Sequence, residues 1–175
     1  MPTDVLQDRL AGTWTFSPVH SSASFSVKYL VASFSGRFDE VDASLADGKL
    51  SGSVKVDSIS VKDENLGAHL RGPDFFDAEV NPEISFESSD ISIDGDRVEL
   101  EGELTLRGVT KPLHATGTVN GPTVDFMDNT RLGFVLETTI DRTAYGLDWN
   151  ADLPKGGKAL SNDVKLTVEL EFHRS

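Results

Sequence analysis

Eight stretches of this chain place apolar residues at every second position, and almost nothing between them reads as a long helix. The clearest are Val98, Leu100, Gly102, Leu104, Leu106 and, near the C-terminus, Val164, Leu166, Val168, Leu170, Phe172. Glutamates, a lysine and threonines fill the alternate positions, from Glu99 to Thr105 and from Lys165 to Glu171. Successive side chains of a strand point to opposite faces, so the pattern means one dry face and one wet face. Eight strands sharing a dry face are best closed into a barrel. Its interior either fills with its own side chains or holds one small ligand. The expected fold is all-β: a single eight-stranded antiparallel barrel with a short helical insertion after the third strand.

Along the chain, residues 1–12 form a polar lead-in and residues 13–175 the barrel, which Thr13-Trp14-Thr15-Phe16 opens. Phe25, Val27, Tyr29 and Val31 make the first full strand face, and Val41, Ala43 and Leu45 the second. Ala46-Asp47-Gly48 supplies a turn into Leu50, Gly52, Val54 and Val56. The apolar parity then switches to Ile59 and Val61, which predicts a bulge near Asp57-Ser58. From Lys62 to Asn81 the alternation stops: Asn65–Arg71 reads as a helical turn or two, ended by Gly72-Pro73. Insertions of this length in small barrels serve as lids or binding loops. Strands resume at Ile84 and Phe86, an alternation that can be continued to Ile91 and Ile93, then at Val98 after Asp94-Gly95-Asp96. Gly108-Val109-Thr110 connects to Leu113, Ala115, Gly117 and Val119, a strand that Asn120-Gly121-Pro122 is expected to end. Leu132, Phe134, Leu136 and Ile140 form the seventh strand, and an irregular loop from Tyr145 to Asn162 precedes the last.

At 175 residues the chain is one domain that needs no disulfide or metal staple. It has no cysteine, which removes thiolate nucleophiles, cysteine-ligated zinc and iron–sulfur clusters. A formal net charge of −13 and a pI near 4.6 repel phosphate backbones and anionic headgroups, arguing against nucleic acid and stable membrane binding. The N-terminal residues lack the basic and apolar regions of a secretory signal, and no segment approaches the roughly 18 apolar residues of a membrane span. A cytoplasmic location is expected.

Catalytic chemistry finds little support. His20, His69, His114 and His173 are far apart and show no metal-ligand spacing. His20-Ser21 are neighbours that point to opposite faces of an extended chain, and no G-x-S-x-G elbow exists. Glu99, Glu101 and Glu103 are a solvated strand face. Lys155-Gly156-Gly157-Lys158 lacks phosphate-loop spacing, although its lysines can meet an anion as point charges. Arg142 either holds a loop through backbone carbonyls or faces a ligand headgroup. The aromatic residues say more. Phe25, Phe86 and Phe134 sit at dry-face positions, whereas Phe38, Phe75, Phe76, Tyr145 and Trp149 lie near strand ends and loops. With the small inward residues Ala43, Gly52, Ala115 and Gly117 they imply an interior of uneven bulk. The small residues either accommodate the rings or leave room for a ligand.

Several segments, in order, carry a resemblance. They are Val19-His20-Ser21 with Phe25, Gly36-Arg37-Phe38, and His69-Leu70-Arg71 leading to Pro73-Asp74-Phe75-Phe76. They continue with Asn81-Pro82-Glu83-Ile84-Ser85-Phe86, Gly102–Lys111, and Asp141-Arg142 before Tyr145-Gly146-Leu147. The chain resembles the YceI-like family of polyisoprenoid-binding proteins. The resemblance implies a lipocalin-like barrel whose interior tunnel takes an isoprenoid chain. Many family members are exported to the periplasm, an association this N-terminus does not carry over, and Tyr29 stands where the family often has a second histidine.

The resulting expectation is noncatalytic binding, transport or sequestration of a long apolar lipid, with no catalytic residue, metal or cofactor. At about 0.3 kcal/mol per atom a chain of about 40 heavy atoms gains on the order of 12 kcal/mol, so a greasy tunnel is sufficient. The expected ligand-binding residues are Phe25, Val27, Tyr29, Phe38, Phe75, Phe76, Phe86, Leu104, Phe134, Leu136, Arg142, Tyr145 and Trp149. Any headgroup is placed near Arg142 or the Lys155–Lys158 loop. A filled barrel acting as an interaction or stress-related scaffold is the alternative. An enzyme using His20 or His69 on a small apolar substrate is the third reading, and a homodimer is compatible with all of them.

Overall fold

The structure, a computed structural model, describes residues 9–174. Its strand segments are β1 (Thr13–Phe16), β2 (Ser22–Tyr29), β3 (Ala32–Phe38), β4 (Val41–Ala46), β5 (Lys49–Lys55) and β6 (Ile59–Ser60). The helix α1 (Glu64–Arg71) follows, then β7 (Glu83–Asp94), β8 (Arg97–Leu106), β9 (Val109–Val124), β10 (Thr130–Asp141) and β11 (Leu160–Arg174). The first six segments are three long strands, each broken near its middle. β1 and β2 pair end to end with one edge of β11, through Phe16↔Phe172 and Ala23↔Val168. β4 and β3 flank them in turn, and β5 and β6 flank β4 and β3. The breaks are 3-10 turns at Pro18–His20 and Val56–Ser58 and a corner at Asp39-Glu40. Counting each broken pair once gives a closed, eight-stranded antiparallel barrel of sequential hairpins, with the helix after the third strand.

The turn chemistry sets several connections. Asp47-Gly48 and Arg107-Gly108 both take positive φ (49° and 79°, 52° and 76°), the two-residue geometry whose twist matches antiparallel strands. The parity switch at Asp57-Ser58 is a 3-10 turn rather than a bulge. β9 does not end at Gly121-Pro122. It runs on to Val124, because these residues sit at a register shift opposite Arg131 and Gly133, where a proline without an N–H costs no ladder bond. Ala32–Phe38, unassigned from sequence, is a full strand. Val31, expected to face inward, is fully exposed at the β2–β3 tip.

The two barrel ends differ. At the floor end Leu10, Trp14, Leu45, Val119, Leu132 and Phe172 are packed with almost no exposure. Phe134 meets Phe172 edge-on at 6.2 Å, and the Arg174 guanidinium lies 4.2 Å from the Trp14 ring. At the other end α1 and the loops 72–82 and 142–159 form a cap. Asp63 caps α1 by accepting from the Asn65 N–H at 2.9 Å, and Leu70 is its buried anchor. Arg71 donates to the Ile59 carbonyl and fastens the helix to β6. Arg107 reaches both cap loops, donating to Gly146 O at 2.7 Å and Pro73 O at 2.8 Å.

Candidate functional site

Between floor and cap the barrel is hollow. A cavity of about 200 Å³ is walled by inward residues of every strand and by Leu70, Phe75, Phe76 and Leu147 of the cap. Val54, Ile84, Phe86, Leu113, Leu166 and Val168 point inward by register yet are only half-buried, because their free surface faces this space. At about 30 Å³ per water the volume corresponds to about seven waters, and so to a similar number of chain carbons. The forty-atom chain expected from sequence exceeds it.

The small inward residues divide between the two roles that the sequence left open. A side chain at Gly36 would collide with the Phe25 ring at 2.6 Å, and one at Gly102 with the Glu87 carbonyl at 2.1 Å and the Phe86 ring at 2.7 Å. These glycines seat aromatics. Gly52 is different: a Cβ there meets only ordinary contacts, Asp42 O at 3.4 Å and Ala43 Cβ at 3.8 Å. Gly52 leaves room.

Of the residues expected to hold a ligand, Phe25, Val27, Phe38, Phe75, Phe76, Phe86, Leu104, Leu136 and Arg142 are brought together around the cavity. Four lie elsewhere. Tyr29 has run past the rim to the β2–β3 tip and is 46 % exposed. Phe134 is consumed by the floor core. Tyr145 is buried in the 3-10 turn Arg142–Tyr145, away from the wall, where burial pushes its hydroxyl pKa up. Trp149 packs outside the wall on Phe75 and His69, with ring centroids 5.4 and 4.7 Å apart. Sequence reasoning missed Phe34, which alternates with Gly36 and Phe38 and was readable. It also missed Leu147 and Leu160, which sit where no periodicity signals a direction.

Polar groups reach the cavity at one corner. Asp42, Ser51, Ser53, Ser85 and Glu137 border it from outward-facing register positions; Thr138 and Arg142 do not. Arg142 is 4 % exposed. Its Nε donates to Ser161 O at 2.9 Å, and its Nη1 donates to Leu147 O at 2.5 Å and Trp149 O at 2.9 Å. Nη2 is buried and has no partner. Burial lowers the Arg142 pKa from its ordinary value, opposed by the Asp141 and Asp148 charges. The loop-holding reading of Arg142 is thus met in the geometry, with one edge of the guanidinium to spare.

The same corner holds a break in the wall. β9 pairs with β8 to its very beginning, Leu106↔Val109, but its pairing with β10 stops at Thr116↔Glu137. Beyond that point, residues 109–115 and 138–141 have no ladder between them. The Thr138 hydroxyl bridges the split by donating to His114 O at 2.6 Å. Leu113, Thr138, Ile140 and Arg142, on its two sides, all line the cavity.

The other candidates lie apart. His20 is exposed beside Glu171 at 3.1 Å, and His173 accepts or donates to Ser17 Oγ at 2.6 Å. His69 bonds Asp74 at 3.1 Å on the cap. None lines the cavity. In the Lys155–Lys158 loop, Lys158 pairs with Asp152, and neither lysine reaches the wall. Among the described residues no three histidine, aspartate or glutamate side chains are placed to hold a metal, and no helix is long and apolar enough to cross a membrane.

A closed eight-stranded meander around an apolar hollow defines the lipocalin-like class of barrel. The profile of the YceI-like domain matches residues 14–172, and the chain belongs to that family. UPF0312 protein SA2479 of Staphylococcus aureus (strain N315) is 30% identical over 168 residues, covering 91% of this chain and 96% of the relative. Among solved structures, BcnA of Burkholderia cenocepacia superposes with a TM-score of 0.76 at 21% identity, over 89% of this chain and 98% of that one. A polyisoprenoid-binding domain from Saccharophagus degradans, implicated in plant cell wall breakdown, gives 0.71 at 14% identity, over 95% and 100%. Both share the fold.

Proposed function

We propose that the protein is a noncatalytic carrier that encloses one apolar lipid chain, an isoprenoid or a chain of similar girth. The hollow itself carries this reading: a folded core ordinarily leaves few voids larger than a water, so an apolar space of about 200 Å³ is costly unless occupied. That a domain sharing this fold is described as polyisoprenoid-binding supports the choice of ligand class. Such a hollow needs no strong headgroup site, because even ~0.3 kcal/mol per enclosed atom accumulates along a chain.

The size of the hollow fixes the test. Isoprenoid alcohols of five, ten, fifteen, twenty and forty carbons are titrated against the protein, with complexes counted by native mass spectrometry. Affinity should rise at least about tenfold per isoprene unit until about seven carbons are enclosed, then level off. Absence of binding by every chain, or affinity independent of length, overturns the carrier reading.

A further inference from the structure

We infer that the cavity is built for an amphiphile: an apolar chain ending in a single carboxylate, with that end at the β9–β10 split against Arg142. This deepens the carrier reading and rests on it. Two observations meet at the corner. Arg142 is the one buried charged residue among those described, and its Nη2 is a buried donor without a partner. Independently, the wall opens beside it, where the β9–β10 ladder stops at Thr116↔Glu137.

A buried charged donor left without a partner is destabilising, and such groups are rare in folded proteins unless a bound molecule completes them. The guanidinium is already out of water and bonded to three backbone carbonyls, so an incoming anion supplies charge that those neutral groups do not. A carboxylate is acceptor-only and matches the N–H groups of Nη2 with a charge-assisted hydrogen bond. An amine would place like charge against it. A phosphate monoester, with a charge near −2 at neutral pH, would meet the nearby Asp141 and Asp148 carboxylates and a chain of net charge −13. A monoanion fits this corner best. With its head at the split, the tail runs inward past Leu136 and Leu104, over Gly52, and has room for about seven carbons.

The test varies the head and holds the tail constant. Octanoate, octanol, octyl phosphate and octylamine compete pairwise for the protein, read by native mass spectrometry at neutral pH. Octanoate should exceed octanol by at least about tenfold, with the phosphate and the amine below it. Arg142→Lys keeps the charge but loses the planar donor edge, and Arg142→Gln removes the charge; each should shrink the ratio of octanoate to octanol binding. If either variant fails to fold, the ranking in the unaltered protein still decides. Equal binding of all four heads, or preference for the alcohol, overturns the carboxylate site and leaves the carrier reading standing. Failure of all four to bind sinks the carrier reading itself.

Discussion

The floor and the middle of this barrel are made from the same alternating strands, yet one is solid and the other empty. In β10, Leu132 and Phe134 pack to almost zero exposure against Phe172, while four residues beyond Phe134, Thr138 borders open space. In β11, Phe172 is fully buried while Leu166 and Val168, on the same face, are half-bare. Dry-face periodicity therefore decides which way a side chain points, and residue size together with the breaks in the ladder decides whether it finds a neighbour.

Matched truncations make the sharpest test of this contrast. Leu132→Ala, in the floor, should cost about 3–5 kcal/mol and lower the melting temperature by ~10 °C. Leu166→Ala, in the hollow, should cost about 1–2 kcal/mol, because the methyl groups it removes already face empty space. Equal losses in urea titrations would mean that no hollow separates the two. The glycines come next. Gly102→Ala should destabilise by about 1–3 kcal/mol, since its Cβ meets backbone at 2.1 Å. Gly52→Leu should leave stability within about 1 kcal/mol and weaken an eight-carbon chain at least about tenfold by occupying its space. Stability lost at Gly52, or binding untouched, would show that its room is not ligand room.

A smaller effect is expected at the split. Thr138→Val deletes the hydroxyl bridge to His114 O at a cost of about 1 kcal/mol or less, and should speed ligand release several-fold in stopped-flow displacement. Unchanged release would place the exit elsewhere. The mildest test concerns pH at the floor-end loop between β9 and β10. There the Arg131 guanidinium, with the Met127 N–H, holds the Asp125 carboxyl below the ordinary carboxylate range. A lowered folded-state pKa contributes stability above the unfolded value of about 3.9 and loses it as pH falls through the folded value. The stability difference between the protein and its Asp125→Asn variant should thus be full at pH 6–7 and shrink below about pH 4. A difference that is constant with pH would remove the ion pair from the account.

The alternation made the barrel legible, down to the turns at Asp47-Gly48 and Gly108 and the helix ending at Gly72-Pro73. Most of the wall was legible too, because Phe25, Phe86, Leu104 and Leu136 obey the same period. The errors fall where strands leave the barrel or the chain leaves periodicity. Tyr29 keeps its parity but projects beyond the rim, and Phe134 keeps it in a layer that happens to be full. Tyr145 and Trp149 lie in a loop whose direction is set by two hydrogen bonds from the Arg142 guanidinium, which no periodicity signals, and by the long-range contact of Trp149 with His69. Whether a glycine seats a ring or leaves a gap depends on where the facing ring turns: Phe25 lies over its partner Gly36, whereas Phe86, the partner of Gly52, lies against Gly102 instead.

Arg107 has a mechanical consequence. One side chain at the β8–β9 tip grips Pro73 on one flap of the roof and Gly146 on the other. Neither flap can lift without tugging its counterpart, so one side chain makes a single coupled plate of two separate loops.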